Sequence, residues 1–105
     1  MITEHVYLGH DNTIDLLLTA DGAAVDLSAV TRMTLELDAT VIDSDPEESP
    51  DAFDWDTGTT GKLVLALGGE TITAGTYEKA TLTVYDPTNT DGIVWGQFNL
   101  VVHAA

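Results

Sequence analysis

Apolar and polar residues alternate with period two along most of the chain, the spacing of strands that turn one face to a core. Ile2–Leu8 predicts a first strand, followed by a turn at His10-Asp11-Asn12. Thr13–Thr19 predicts a second, with Ile14, Leu16 and Leu18 on one face. Asp21-Gly22 is a strong turn signal, and Ala24–Leu27 reads as a short edge segment. Arg32–Asp38 alternates most cleanly, with Met33, Leu35 and Leu37 on one face and Arg32, Thr34 and Glu36 on the other. Thr40–Ile42 extends or follows it, and Ser44–Asp51 is a polar loop containing Pro46 and Pro50. Phe53 and Trp55 then share a face of a short strand, and Thr57–Gly61 turns the chain. Leu63, Leu65 and Leu67 alternate on the next strand, which Gly68-Gly69 breaks. Thr76–Tyr85 and Ile93–His103 predict a closing hairpin around the loop Asp86–Gly92. No segment reads as a convincing helix, and no internal repeat is visible. Seven to eight short strands separated by turns predict an all-β fold, one Ig-like antiparallel β-sandwich spanning residues 1–105. A small barrel is the alternative.

The closing hairpin carries the most detailed expectation. A regular register sets Val84 opposite Val94, Leu82 opposite Gly96, Ala80 opposite Phe98 and Glu78 opposite Leu100. That register sends Leu82, Val84, Val94 and Phe98 to the core, and the missing side chain at Gly96 leaves room for a neighbour. The other face then carries Tyr77, Thr81, Thr83, Tyr85, Ile93, Trp95, Gln97 and Val101. Its large apolar members, Tyr77, Tyr85, Ile93, Trp95 and Val101, form the candidate protein interface. The competing reading is that a loop or the N-terminal strand covers this face.

Charge narrows the choice of partners. Eighteen acidic residues against three basic ones give a formal net charge of -15. Such a surface repels phosphate backbones and anionic lipid, so neither nucleic acid nor membrane is an expected partner. It would attract a basic protein surface. Hydrophobic residues make up 44% of the chain, enough for one core, and cysteine is absent. Neither a disulfide framework nor a thiolate metal site is therefore expected. Met1–Tyr7 has no basic stretch followed by an apolar one, so no signal peptide is predicted. No apolar run approaches the ~20 residues of a membrane span. The expected place of folding is the cytoplasm of the cell that makes the chain.

Candidate chemistry is sparse. The histidines, His5, His10 and His103, lie at strand ends and turns, outside any nucleophile–base or zinc motif. Gly58–Gly61 precedes Lys62 but lacks the spacing of a phosphate-binding loop, and a β-turn explains it better. The prediction is therefore a protein that is not an enzyme, with no catalytic residues, no cofactor and no metal ligand. Asp43, Asp45, Glu47, Glu48, Asp51, Asp54 and Asp56 crowd one stretch, and oxygen clusters of that kind suit calcium. Asp86–Gly92 resembles half of a calcium loop, but its acceptors fall at the wrong offsets for an EF-hand. A solvated acidic loop and an ordinary Asp-Gly turn account for both. Paired carboxylates for glycosidase chemistry lack an aromatic-lined cleft; Trp55 and Trp95 read as core and interface residues.

The run Asp11–Leu27, with its Asp21-Gly22 turn and Val25-Asp26-Leu27, followed by Val30–Leu37, resembles the N-terminal domains of phage baseplate upper proteins. Gly75–Asp86 followed by Asp91–Gly96 is similar to the closing hairpin of small Ig-like phage virion proteins. The likeness covers most of the chain in order and rests on strand-and-turn patterns. It implies a structural virion component made in the host cytoplasm, a tail or fibre adaptor or a capsid decoration protein. Its implied partners are other virion proteins, with self-association among them. It brings no catalytic motif and hence no site residues. Two other classes compete: an acidic inhibitor or DNA mimic that occupies a basic partner, and a calcium- or carbohydrate-binding adhesion module.

Overall fold

The computed structural model describes residues 2–45 and 47–105. Pro46 of the predicted polar loop lies outside the described residues. Among those described, ten strands form: β1 Thr3–Tyr7, β2 Ile14–Leu17, β3 Thr19–Ala20, β4 Ala23–Ala24, β5 Arg32–Leu37, β6 Thr40–Asp43, β7 Phe53–Trp55, β8 Lys62–Leu65, β9 Gly75–Tyr85 and β10 Ile93–His103. A 3-10 turn, Pro50–Ala52, closes the polar loop. The fold is all-β, as the period-two pattern predicts. It has more strands than the expected seven to eight, and β9 and β10 are eleven residues long rather than short.

The larger sheet has the order β1-β10-β9-β5-β6, and a smaller one has the order β2-β8-β7. One apolar cluster joins them, with Met33, Leu35 and Leu100 from the first and Ile14, Leu63 and Leu65 from the second. The sheets are not antiparallel throughout. β1 runs parallel to β10, pairing His5 with Val101 and Tyr7 with His103. Alternation reports which face a residue takes, not which way a neighbouring strand runs, so the sequence could not show this.

The predicted second strand is divided. β2 pairs with β8 as far as Leu17, and β3 forms a small hairpin with β4. Leu18 lies between them, its N–H donating to the Gly61 carbonyl at 2.8 Å and its carbonyl accepting from Val25 at 3.0 Å. The hairpin turns at Asp21 and Gly22, whose φ angles of 52° and 80° are those of a type I′ turn.

The closing hairpin departs from a regular register at two β-bulges. Gly96 faces Leu82 and Phe98 faces Ala80, as expected. Between Val94 and Gly96, however, Trp95 is an extra residue, so Val94 faces Thr83 and Ile93 faces Val84. The expectation that Val94 is in the core is thereby corrected: it is 61% exposed. A second irregularity sets Leu100 opposite Tyr77 instead of Glu78. Lys79 there has a φ of 58° and donates its N–H to the Asn99 side chain. An extra residue exchanges the faces of everything beyond it, because side chains alternate.

Candidate functional site

The two bulges redistribute the five candidate interface residues. Tyr85 and Val101 are half-buried on the outer face of the larger sheet. Tyr85 lies beneath Arg32, whose guanidinium carbon is 4.6 Å from the ring centroid. The same Arg32 holds Asp43 with two parallel hydrogen bonds, Nε to Oδ1 at 2.9 Å and Nη2 to Oδ2 at 2.6 Å. That pairing holds the Asp43 carboxyl below the usual aspartate range. Gly92 approaches Thr83 and Tyr85 so closely that a β-carbon would collide with both, so the Asp86–Gly92 loop covers part of this face.

Tyr77 and Trp95 do not share that face. Both pack against the core cluster. Tyr77 stands opposite Leu100 and donates its hydroxyl to the Thr73 carbonyl at 2.5 Å. Ile93, opposite Val84, is partly exposed at the end of β10. The five residues therefore form no single patch.

A different apolar surface takes their place. Trp95, Gly96 and Phe98 of β10 line a groove of about 220 Å³ with Leu16 and Leu17 of β2 and with Ile2. A β-carbon on Gly96 would meet nothing within 4 Å, so the missing side chain leaves open space. Ile2 and Leu17 are 66% and 62% exposed. Sequence reasoning missed both, although for Leu17 a signal was present. Leu16-Leu17-Leu18 and Ile93-Val94-Trp95 are triplets of apolar residues, and alternation cannot bury all three members. One of each must face solvent, or a bulge must intervene.

The carboxylates have local work. Asp26, Asp43, Asp45, Asp56 and Asp86 each accept the N–H two residues ahead, on Ser28, Asp45, Glu47, Gly58 and Thr88. These are Asx turns, which shape loops without a ligand. Asp86 also takes the backbone and side-chain N–H groups of Asn89, which lower its pKa. Asp56 is lowered by the Thr60 hydroxyl and the Gly58 N–H. Among the described residues no group of three or more His, Cys, Asp or Glu side chains could hold a metal ion. His10 is exposed in the turn after β1, whereas His5 and His103 lie side by side. No protein-family model matches the chain, and no curated protein matches it.

Proposed function

We propose that the chain is a non-enzymatic Ig-like module of a phage virion, a tail or fibre adaptor or a capsid decoration protein. On this reading it docks through the groove between β2 and β10. The observation that carries it is the placement of Ile2 and Leu17, both about two-thirds exposed, on a groove also lined by Trp95 and Phe98. Exposed large apolar side chains around a concave surface are the usual mark of a protein contact.

The Ig-like assignment has two supports. The strand orders β10-β9-β5-β6 and β2-β8-β7 correspond to G-F-C-C′ and B-E-D of a variable-type Ig domain. The Tyr77–Thr73 hydrogen bond, at the start of β9, has the form of the tyrosine corner of such domains. The chain departs from antibody domains in lacking the inter-sheet disulfide and a tryptophan on β5. The resemblance of Asp11–Leu27, Val30–Leu37, Gly75–Asp86 and Asp91–Gly96 to phage virion domains supplies the biological setting. With a net charge of -15, the chain best suits a virion partner that offers an apolar side chain flanked by basic residues.

Purified particles of the encoding phage should contain the chain at a fixed copy number by quantitative mass spectrometry. Leu17→Lys should prevent its incorporation while leaving its circular dichroism unchanged. Absence of the chain from the particles would remove the virion reading, and normal incorporation of Leu17→Lys would remove the groove from it. Light scattering on the free chain measures self-association separately.

A further inference from the structure

His5 and His103 are far apart in sequence, yet parallel pairing of the first and last strands makes them diagonal neighbours on the outer face. Nδ1 of His5 stands 3.0 Å from Nε2 of His103. The rings are stacked with centroids 5.3 Å apart. Tyr7 extends the stack, lying 4.6 Å from His103 and nearly parallel to it. His5 and Tyr7 are exposed and His103 is half-buried, so the nitrogens are held in place but open to solvent.

Two imidazole nitrogens at this separation can share a proton or a cation. Neutral imidazole is the commonest protein ligand for divalent transition metals. With metal–nitrogen bonds of about 2.0–2.1 Å, ligands at a right angle stand about 2.9 Å apart and tetrahedral ligands about 3.4 Å. The observed 3.0 Å is close to the right-angled value. Square-planar and octahedral ions offer such adjacent positions, and copper(II) and nickel(II) favour them. A net charge of -15 also raises the local concentration of cations at the surface.

We propose that His5 and His103 chelate one divalent copper or nickel ion, with water filling its remaining positions. The ion replaces the shared proton, and each ring turns slightly about its Cβ–Cγ bond to aim its lone pair at the metal. Because the site bridges β1 and β10, the bound ion fastens the edge strand of the larger sheet. It binds the native state alone and so raises the unfolding temperature.

The test is titration of the whole chain with copper(II), read by electron paramagnetic resonance, and with nickel(II), read by thermal unfolding. At neutral pH one equivalent should bind, with two nitrogen ligands in the copper spectrum and a higher unfolding temperature in nickel. His5→Gln and His103→Gln should each weaken binding at least about tenfold, and His10→Gln should leave it unchanged. Failure to bind one equivalent, or binding that survives either substitution, overturns the proposal. If a variant fails to fold, a wild-type copper spectrum with fewer than two imidazole nitrogens overturns it equally.

Discussion

Replacing Val84 and Val94 by serine, one at a time, tests the bulge at Trp95. In a regular hairpin the two valines face each other and both enter the core. In the observed register Val84 is 4% exposed and Val94 61%. Val84→Ser removes about two methyl groups from the core, worth about 1.6 kcal/mol. It also buries a hydroxyl, which costs a further 1–3 kcal/mol or so when unpaired. The expected loss is about 3 kcal/mol, or roughly 12–20 °C in melting temperature for a domain of this size. Val94→Ser gives up only exposed surface and some strand preference, and should cost no more than about 0.5 kcal/mol. Urea and thermal unfolding followed by circular dichroism measure both. Comparable losses in the two variants would refute the shifted register, and with it the position of Trp95 in the groove.

Gly61→Ala should be far more damaging than Gly22→Ala in the same unfolding assay. Both glycines have positive φ, but a β-carbon on Gly61 would collide with the Leu18 carbonyl, whereas one on Gly22 meets nothing. The Gly22 variant should lose about 1 kcal/mol and the Gly61 variant at least about twice that. Asp38 occupies the first turn position between β5 and β6 with a φ of 52°, so Asp38→Gly should stabilise the chain by up to about 1 kcal/mol. Asp38→Asn, which removes the charge alone, measures how much of that gain is relief of repulsion. Asp43→Asn should cost about 1 kcal/mol at neutral pH, a figure kept small because the Arg32 side chain is 43% exposed. Arg32 depresses the Asp43 pKa. The stabilisation is therefore fully present above the ordinary aspartate pKa and is lost as pH falls through the depressed value. The gap between variant and native chain should begin to narrow below about pH 4 and close once the pH has fallen past the depressed value; a gap that does not narrow with acidification would refute the ion-pair account.

The parts legible in the sequence are those where one sheet face is buried and the other is not. Met33, Leu35 and Leu37 alternate with Arg32, Thr34 and Glu36, and the three apolar side chains are fully buried. Leu63, Leu65 and Leu67 behave the same way, and so do the limits of β10. Thr34 follows the pattern in direction but not in exposure. Its neighbours in register are Asp43 and Thr83, and it is buried on the outer face beside the Arg32–Tyr85 stack. Strand direction was not legible, because a parallel and an antiparallel partner accept the same alternating face. The His5–His103 contact follows from that direction and was hidden with it.

The five candidate interface residues do not share one face, for a related reason. A single extra residue transfers every later side chain to the opposite face, and the closing hairpin has two such irregularities. Reading β9 and β10 as regular put Tyr77 and Trp95 outside and Val94 inside. The bulges reverse this, drawing the two large rings onto the core and leaving the outer face mainly to threonines, Tyr85, Gln97, Asn99 and Val101. Drawing Trp95 inward leaves a gap at the surface. Beside it, Gly96 offers no side chain to fill the gap toward β2, and Leu17 and Ile2 remain at the rim with nothing over them. The same irregularity that removes the apolar patch from the sheet face thus creates the groove. On the proposed reading, a groove lined by Trp95, Phe98, the bare Gly96 and the exposed Ile2 and Leu17 is a better seat for a partner's side chain than a flat face of threonines.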